Sequence, residues 1–155
     1  TDAMGRDRRT NGVDDDNNGK VDDWRGWDFV GNTTAADRAA SIRRPDNDPR
    51  PRPRRDLDTD DGLNHGSHVA GIAGSTADNG VGGLGSGYRC RILPLKQATE
   101  DFPNSRSVID GYEGILYAAQ MGAHIVNCSW GGAGGFSQAA QDIINTATAL
   151  GTLVV

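Results

Sequence analysis

The second half of the chain alternates in a way that leaves few folds open. Arg89 to Lys96 carries apolar Ile92, Leu93 and Leu95 and predicts a strand. Ser107 to Gly122 follows with Val108, Ile109, Tyr112, Ile115, Leu116 and Ala119 at three- and four-residue spacing. That period predicts a helix, stopped by Gly122. His124 to Trp130 predicts the next strand, ended by Gly131 and Gly132. Ser137 caps a further predicted helix with a face of Ile143, Ile144, Ala147 and Leu150, closed by Gly151. Leu153-Val154-Val155 opens one more strand. Strand, helix, strand, helix, strand with apolar strands points to an α/β fold built on a parallel sheet. At 155 residues the chain is long enough for one domain and one core.

Ahead of this block lies Asn64-His65-Gly66-Ser67-His68-Val69-Ala70-Gly71-Ile72-Ala73-Gly74. Asn64 is a good N-cap residue, which places His65 in the first turn of a helix. Gly71 and Gly74 each weaken an isolated helix by about 1 kcal/mol relative to alanine. The pattern therefore predicts a buried helix pressed closely against a sheet, with His65 held rigidly at its exposed mouth. His68 lies on the same helix face as His65, a spacing that permits a metal pair. No third ligand sits nearby as His-Glu-x-x-His requires, so zinc is not expected.

The run from His65 to Gly71 closely resembles the His-Gly-Thr-His-Val-Ala-Gly signature of the subtilisin-like serine proteases, with Asn64 where glycine is usual and Ser67 for threonine. Gly26-Trp27-Asp28-Phe29-Val30 resembles the short strand ahead of that helix; taken alone it is an aromatic strand signal. Ala118 to Gly132 is a further match. The resemblance covers about residues 11–155, apart from an insertion. It implies a subtilisin-like parallel sheet flanked by helices in three layers. It also implies that His65 is the general base of a Ser-His-Asp triad and that His68 is a second, structural histidine. By the same resemblance Ser129, Trp130 and Gly131 form one wall of a substrate cleft, whose backbone pairs with an extended polypeptide. Asn104, Ser105 and Arg106 would lie on the opposite wall.

Two family motifs do not occur in these residues: the Asp-Ser/Thr-Gly that carries the catalytic aspartate, and the Gly-Thr-Ser that carries the nucleophile. In the family, the strand opening at Leu153 runs on into Ala-Ala-Gly-Asn, whose asparagine is the oxyanion donor. Both ends therefore read as cut, and the chain as an internal fragment, inactive alone, that carries only the histidine. Ser67 is two residues from His65 and points to a different face. Asp60 and Asp61 sit on a loop of unknown path, so neither supplies a substitute. The family's sheet order puts the aspartate-bearing strand between the Ile92 and Val126 strands. The expectation is a sheet lacking its centre, with strand edges unpaired, in a chain that is not stably folded alone. The same order separates Cys90 from Cys128, so no disulfide is expected between them.

Near the start, Asp14, Asp16 and Asn18 alternate, Gly19 follows, and Lys20, Asp22 and Asp23 come next. This matches the front of a calcium loop, in which alternate side chains converge on the ion and glycine makes the sharp turn. Lys20 offers only its backbone carbonyl. The twelfth loop position is Arg25 rather than a bidentate glutamate, so the loop is not a complete EF-hand; Asp22 or Asp23 would close the shell. Carboxylates crowded this closely repel one another without a cation. The alternative is an acidic solvated turn.

Residues 31–61 read as an inserted surface excursion within a single partial peptidase domain spanning 1–155. A short helix is expected within Thr34 to Arg43. Pro45, Pro49, Pro51 and Pro53 then alternate with Arg50, Arg52, Arg54 and Arg55 and exclude regular structure. Asp56, Asp58, Asp60 and Asp61 either neutralise these arginines or form a second cation site. Asp78-Asn79-Gly80 marks a turn, and Val81 to Gly87 is glycine-rich without the Gly-Lys-Ser/Thr of a phosphate loop.

The net charge of -5 argues against nucleic acid as a partner. No apolar run reaches the length of a membrane span, and no signal peptide is recognised. Two cysteines allow one disulfide without requiring it. The resemblance implies a secreted serine endopeptidase stabilised by calcium. Two alternatives differ in class. One is a non-catalytic peptide-binding module with a degenerate triad. The other is a calcium-binding structural module around Asp14 to Asp23, which leaves His65 and Ser129 to Gly132 unexplained.

Overall fold

The computed structural model describes residues 1–31, 33, 35–51, 64–87, 89–98 and 107–155. In chain order the elements are β1 (Trp27–Asp28), α1 (Ala35–Ala39), α2 (His65–Gly74), β2 (Leu95–Lys96), α3 (Gly111–Gln120), β3 (Ile125–Val126), α4 (Gln138–Ala149) and β4 (Leu153–Val154). β1 pairs parallel with β2, Trp27 beside Leu95. β3 pairs parallel with β4, Ile125 beside Leu153. The α/β class and the parallel pairing agree with the sequence. The single three-layer sheet does not appear: the described strands form two separate two-stranded ribbons. The strands are also shorter than their apolar runs. A ladder needs a partner backbone, and among the described residues the β3–β4 ribbon has no third strand.

The helices follow local signals. Ser137 Oγ accepts the Ala140 N–H at 3.3 Å and caps α4. α3 and α4 run out into Gly122 (φ 76°) and Gly151 (φ 91°), left-handed positions that glycine fills without a Cβ penalty. α3 begins four residues later than the apolar period predicts, at Gly111. Its inner face is also shifted. Ile115, Tyr117, Ala118 and Ala119 are buried, while Val108, Ile109 and Tyr112 are exposed. Tyr117 can go inside because its hydroxyl finds a carboxylate there, as described below. Ile115, Ala119 and Ala147 form the core between α3 and α4, with Val126, Cys128, Ile143 and Val154 packed against it. The other side of the β3–β4 ribbon is open: Ile125 is 63% and Leu153 60% exposed.

Described residues of the segment after β1 are bonded back to it. Asp28 and Asp46 exchange backbone hydrogen bonds at 2.8 and 3.0 Å, and Arg44 N–H donates to the Val30 carbonyl at 3.0 Å. The expected helix is confined to α1, and Asp37 from it pairs with Arg44 at 2.8 Å. Arg43 pairs with Asp110 at the entrance to α3. Arg50 pairs with Asp48 at 2.7 Å. Arg52, Arg54, Arg55 and the acidic cluster 56–61 lie outside the described residues.

Candidate functional site

α2 starts at His65, as the sequence predicts, with Asn64 in the N-cap position. Asn64 is helical in φ and ψ, and its side chain makes no capping bond. The helix is held at its far end. A Cβ on Gly74 would lie 2.8 Å from Cys90 Sγ and 3.1 Å from Ile92 Cδ1, so glycine permits this close approach. Ser75 Oγ donates to the Gly71 carbonyl at 2.7 Å. Burial is where the expectation fails. No residue of α2 is buried, and Ile72 is 60% exposed. Small residues bring the C-terminal turn against the Cys90–Ile92 segment, but among the described residues nothing covers the rest. His65 and His68 are both exposed, and the His65 imidazole bonds to no described residue.

Ser129, Trp130 and Gly131 leave β3 in an exposed segment. Ser129 Oγ accepts from Asn127 Nδ2 at 2.7 Å. The Trp130 ring meets Tyr112 edge-on at 5.6 Å and 86°. It lies directly over Gly111, where any Cβ would overlap the indole. Trp130 is thus a half-exposed side chain with one face fixed on the start of α3. Asn104, Ser105 and Arg106, expected on the opposing wall, lie outside the described residues.

The acidic loop is compact and internally bonded. Asp14 accepts the Gly19 N–H at 2.7 Å and the Asn18 N–H at 3.1 Å. Asn18 Nδ2 donates to Asp23 at 2.8 Å and to Asp16 at 3.0 Å. Lys20 N–H donates to Asn18 Oδ1 at 2.8 Å. Asp22 is turned away and accepts the Gly12 N–H at 3.1 Å. Desolvation, followed by the charges of Asp23 and Asp14, holds the Asp16 carboxyl above its ordinary range. Asp14 is also desolvated, yet the N–H groups of Gly19 and its neighbours outweigh this and hold its carboxyl low. Among the described residues no three His, Cys, Asp or Glu side chains form a ready metal cluster. A cavity of about 230 Å³ opens beside Asp16, Asp22, Asp23 and Trp24.

Two long-range contacts escaped the sequence reading. Tyr117 donates from its hydroxyl to Asp23 Oδ2 at 2.7 Å, fastening the acidic loop to α3. Desolvation, together with that bond and the Asp23 charge, pushes the Tyr117 phenol up. Asp28 is fully buried and pairs with Lys96 Nζ at 2.6 Å, while its other oxygen accepts from Val30 and Gly31 N–H. The only sequence sign of that pair is a charged residue within each apolar strand run. Cys90 and Cys128 are both free thiols, and burial raises the Cys128 thiol.

The sequence profile of the Subtilase family matches residues 12–155. The chain belongs to the subtilase family. Among curated relatives, thermitase of Thermoactinomyces vulgaris is 31% identical over 130 residues, covering 84% of this chain and 37% of thermitase. An extracellular basic protease of Dichelobacter nodosus is 35% identical over 101 residues, covering 59% of this chain and 16% of that protein. Subtilisin DY of Bacillus licheniformis is 35% identical over 95 residues, covering 61% and 33%. This subtilase chain thus spans about a third or less of most of the curated relatives it matches. Among its described residues no helix is long and apolar enough to cross a membrane.

Proposed function

We propose that this chain is part of a secreted serine endopeptidase and that His65 is its general base. The observation that carries the reading is the subtilase match over residues 12–155, which contains the His65 motif. In the proposed reaction a serine hydroxyl attacks a peptide carbonyl. His65 takes the hydroxyl proton and returns it to the leaving amine, while an aspartate orients the imidazole. The serine and aspartate motifs do not occur in these 155 residues, so the reading takes both from elsewhere in the parent protein. A histidine without its nucleophile has nothing to activate, and the isolated chain is inactive on this reading. The exposed His65 side chain, free of described partners, supports a base open to a proton from outside the chain.

The exposed backbone at Ser129 to Gly131 supports pairing with an extended substrate strand, the second part of the proposal. Secretion rests on relatives named extracellular proteases. We further propose that Asp14, Asp16, Asn18, Asp23 and the Lys20 carbonyl bind calcium, with Asp23 rather than Asp22 closing the shell, since the Asp22 carboxylate is turned to the Gly12 N–H. The donors are hard oxygens, which suit that ion, and the mutual charge of Asp16, Asp23 and Asp14 gives a cation something to relieve. Bound calcium would supply positive charge that fixes the loop.

The deciding experiment is peptide hydrolysis by the full-length protein and by its His65→Ala variant. The expected loss in kcat is on the order of 10⁶, the size seen when subtilisin, a member of this family, loses its histidine. Covalent labelling of the parent by a serine-directed inhibitor is expected as well. Hydrolysis unchanged by His65→Ala sinks the assignment.

A further inference from the structure

We propose that Lys20 is a latch that holds the acidic segment 12–23 closed against α3 without the help of any bound cation. Asp14, Asp15, Asp16, Asp22 and Asp23 all lie within this segment. Even so, the Lys20 ammonium pairs with no carboxylate among the described residues. It lies instead over three aromatic rings, 5.8 Å from the centroid of Trp27, 5.4 Å from Phe29 and 5.0 Å from Tyr117. Each distance is within reach of the attraction between a cation and the negative face of a ring. The cage is rigid. Phe29 and Tyr117 meet edge-to-face at 5.7 Å and 78°, and both are almost completely buried. The cage also belongs to the core, since Trp27 lies in β1 and Tyr117 in α3.

Tyr117 grips the segment twice. Its ring takes Lys20, and its hydroxyl donates to Asp23 three residues further on. Asn18 adds a third point, donating to Asp23 at 2.8 Å and reaching Met121 Sδ at the end of α3 at 3.4 Å. The backbone at and beside these points takes left-handed conformations. Asn17 (φ 60°) and Asp22 (φ 54°) are both left-handed. Such positions persist where surrounding contacts hold them. Five carboxylates on one short segment add repulsion that also favours opening. A cation held by the core, rather than paired with one aspartate, resists both; of the five carboxylates Asp15 meets Arg8 at 3.8 Å. The inference uses no part of the proteolytic reading.

The test is amide hydrogen exchange on the full-length protein in chelator, comparing wild type with Lys20→Met, Lys20→Arg and Tyr117→Phe. Lys20→Met keeps the chain length and the backbone carbonyl but removes the charge. It is expected to speed exchange across 12–22 by about tenfold while leaving α4 unchanged. Lys20→Arg keeps a cation over the rings and is expected to stay within about twofold of wild type. Tyr117→Phe keeps the ring, loses one bond, and is expected to fall between them. Unchanged exchange in Lys20→Met overturns the latch. So does Lys20→Arg opening as far as Lys20→Met, which would show that shape and not charge matters. Faster exchange spread equally into α4 also overturns it, because a latch acts locally.

Discussion

The buried pair of Asp28 and Lys96 is the side-chain tie between β1 and β2, and cutting it has a calculable cost. The Asp28 side chain is 1% exposed and that of Lys96 11%, so solvent screens the contact little. Asp28 Oδ2 takes Lys96 Nζ at 2.6 Å, and Oδ1 takes the N–H groups of Val30 and Gly31 at 3.0 and 2.8 Å. Asp28→Ala removes a buried counter-charge of Lys96 and orphans two backbone donors together. Removing one member of a buried ion pair costs about 3–5 kcal/mol, and an orphaned buried donor costs about 1–3 kcal/mol. These penalties overlap, because backbone shifts that relieve one relieve the other. The expected loss is therefore about 4 kcal/mol rather than the sum. Lys96→Met leaves the carboxylate its two N–H partners and is expected to cost less, about 3 kcal/mol. The double variant is expected to be at least about 1 kcal/mol more stable than the two losses added, since each single change removes the same buried contact. Urea unfolding of the full-length protein and its three variants measures all of this. A single substitution costing under about 1 kcal/mol, or strictly additive losses, would refute the claim that the pair acts as a buried unit.

Other consequences are quickly stated. The raised Tyr117 phenol means the folded protein keeps that proton where the unfolded chain gives it up. Its contribution is complete below the unfolded value of about 10 and is lost as pH climbs above it; urea unfolding at pH 9 and 11 is expected to show a steeper fall for wild type than for Tyr117→Phe. Gly111→Ala is expected to push the Trp130 indole off α3, costing about 1–3 kcal/mol and changing tryptophan fluorescence; an unaltered spectrum with unaltered stability counts against the packing described. Calcium at about a hundred times its Kd is expected to stabilise the parent by about 2.7 kcal/mol, and Asp14→Asn with Asp16→Asn is expected to abolish the response to chelator. The isolated 155-residue chain is expected to unfold without cooperativity; a sharp thermal transition with native-like near-ultraviolet circular dichroism would show otherwise.

What the sequence makes legible is what is local. Ser137 and Gly151 bracket α4 because a cap and a left-handed stop act within one turn. The parallel pairing of β3 with β4 follows from two apolar runs flanking a helix. The predicted inner face omits Tyr117 because its partner, Asp23, is 94 residues away. No helical period reports such a bond. Lys20 enters the sequence analysis only as a carbonyl ligand, since one of its three rings, Tyr117, comes from a distant part of the chain. α2 shows the opposite error. Gly71, Ala73 and Gly74 describe a surface fit for burial, yet its cover is absent among the described residues. A small-residue stripe states what a helix can accept, while its burial depends on what else is present.

The exposed apolar faces and the candidate site share one cause on the proposed reading. Val126 and Val154 face the α3–α4 core, whereas Ile125 and Leu153 turn the other side of the same ribbon outward at 63% and 60% exposure. A parallel ribbon with one wet apolar face is unusual, because parallel sheets are ordinarily covered on both sides. α2 is bare in the same way, and it carries His65. Covering these surfaces from elsewhere in the parent would desolvate the ribbon and the histidine helix together. On that reading folding and catalysis are coupled through the cover of these two surfaces. Polar substitutions at Ile125 and Leu153 are therefore expected to lower parent stability and activity in step, while His65→Ala lowers activity alone. Loss of activity at full stability in Ile125→Ser would separate the two effects and break that link.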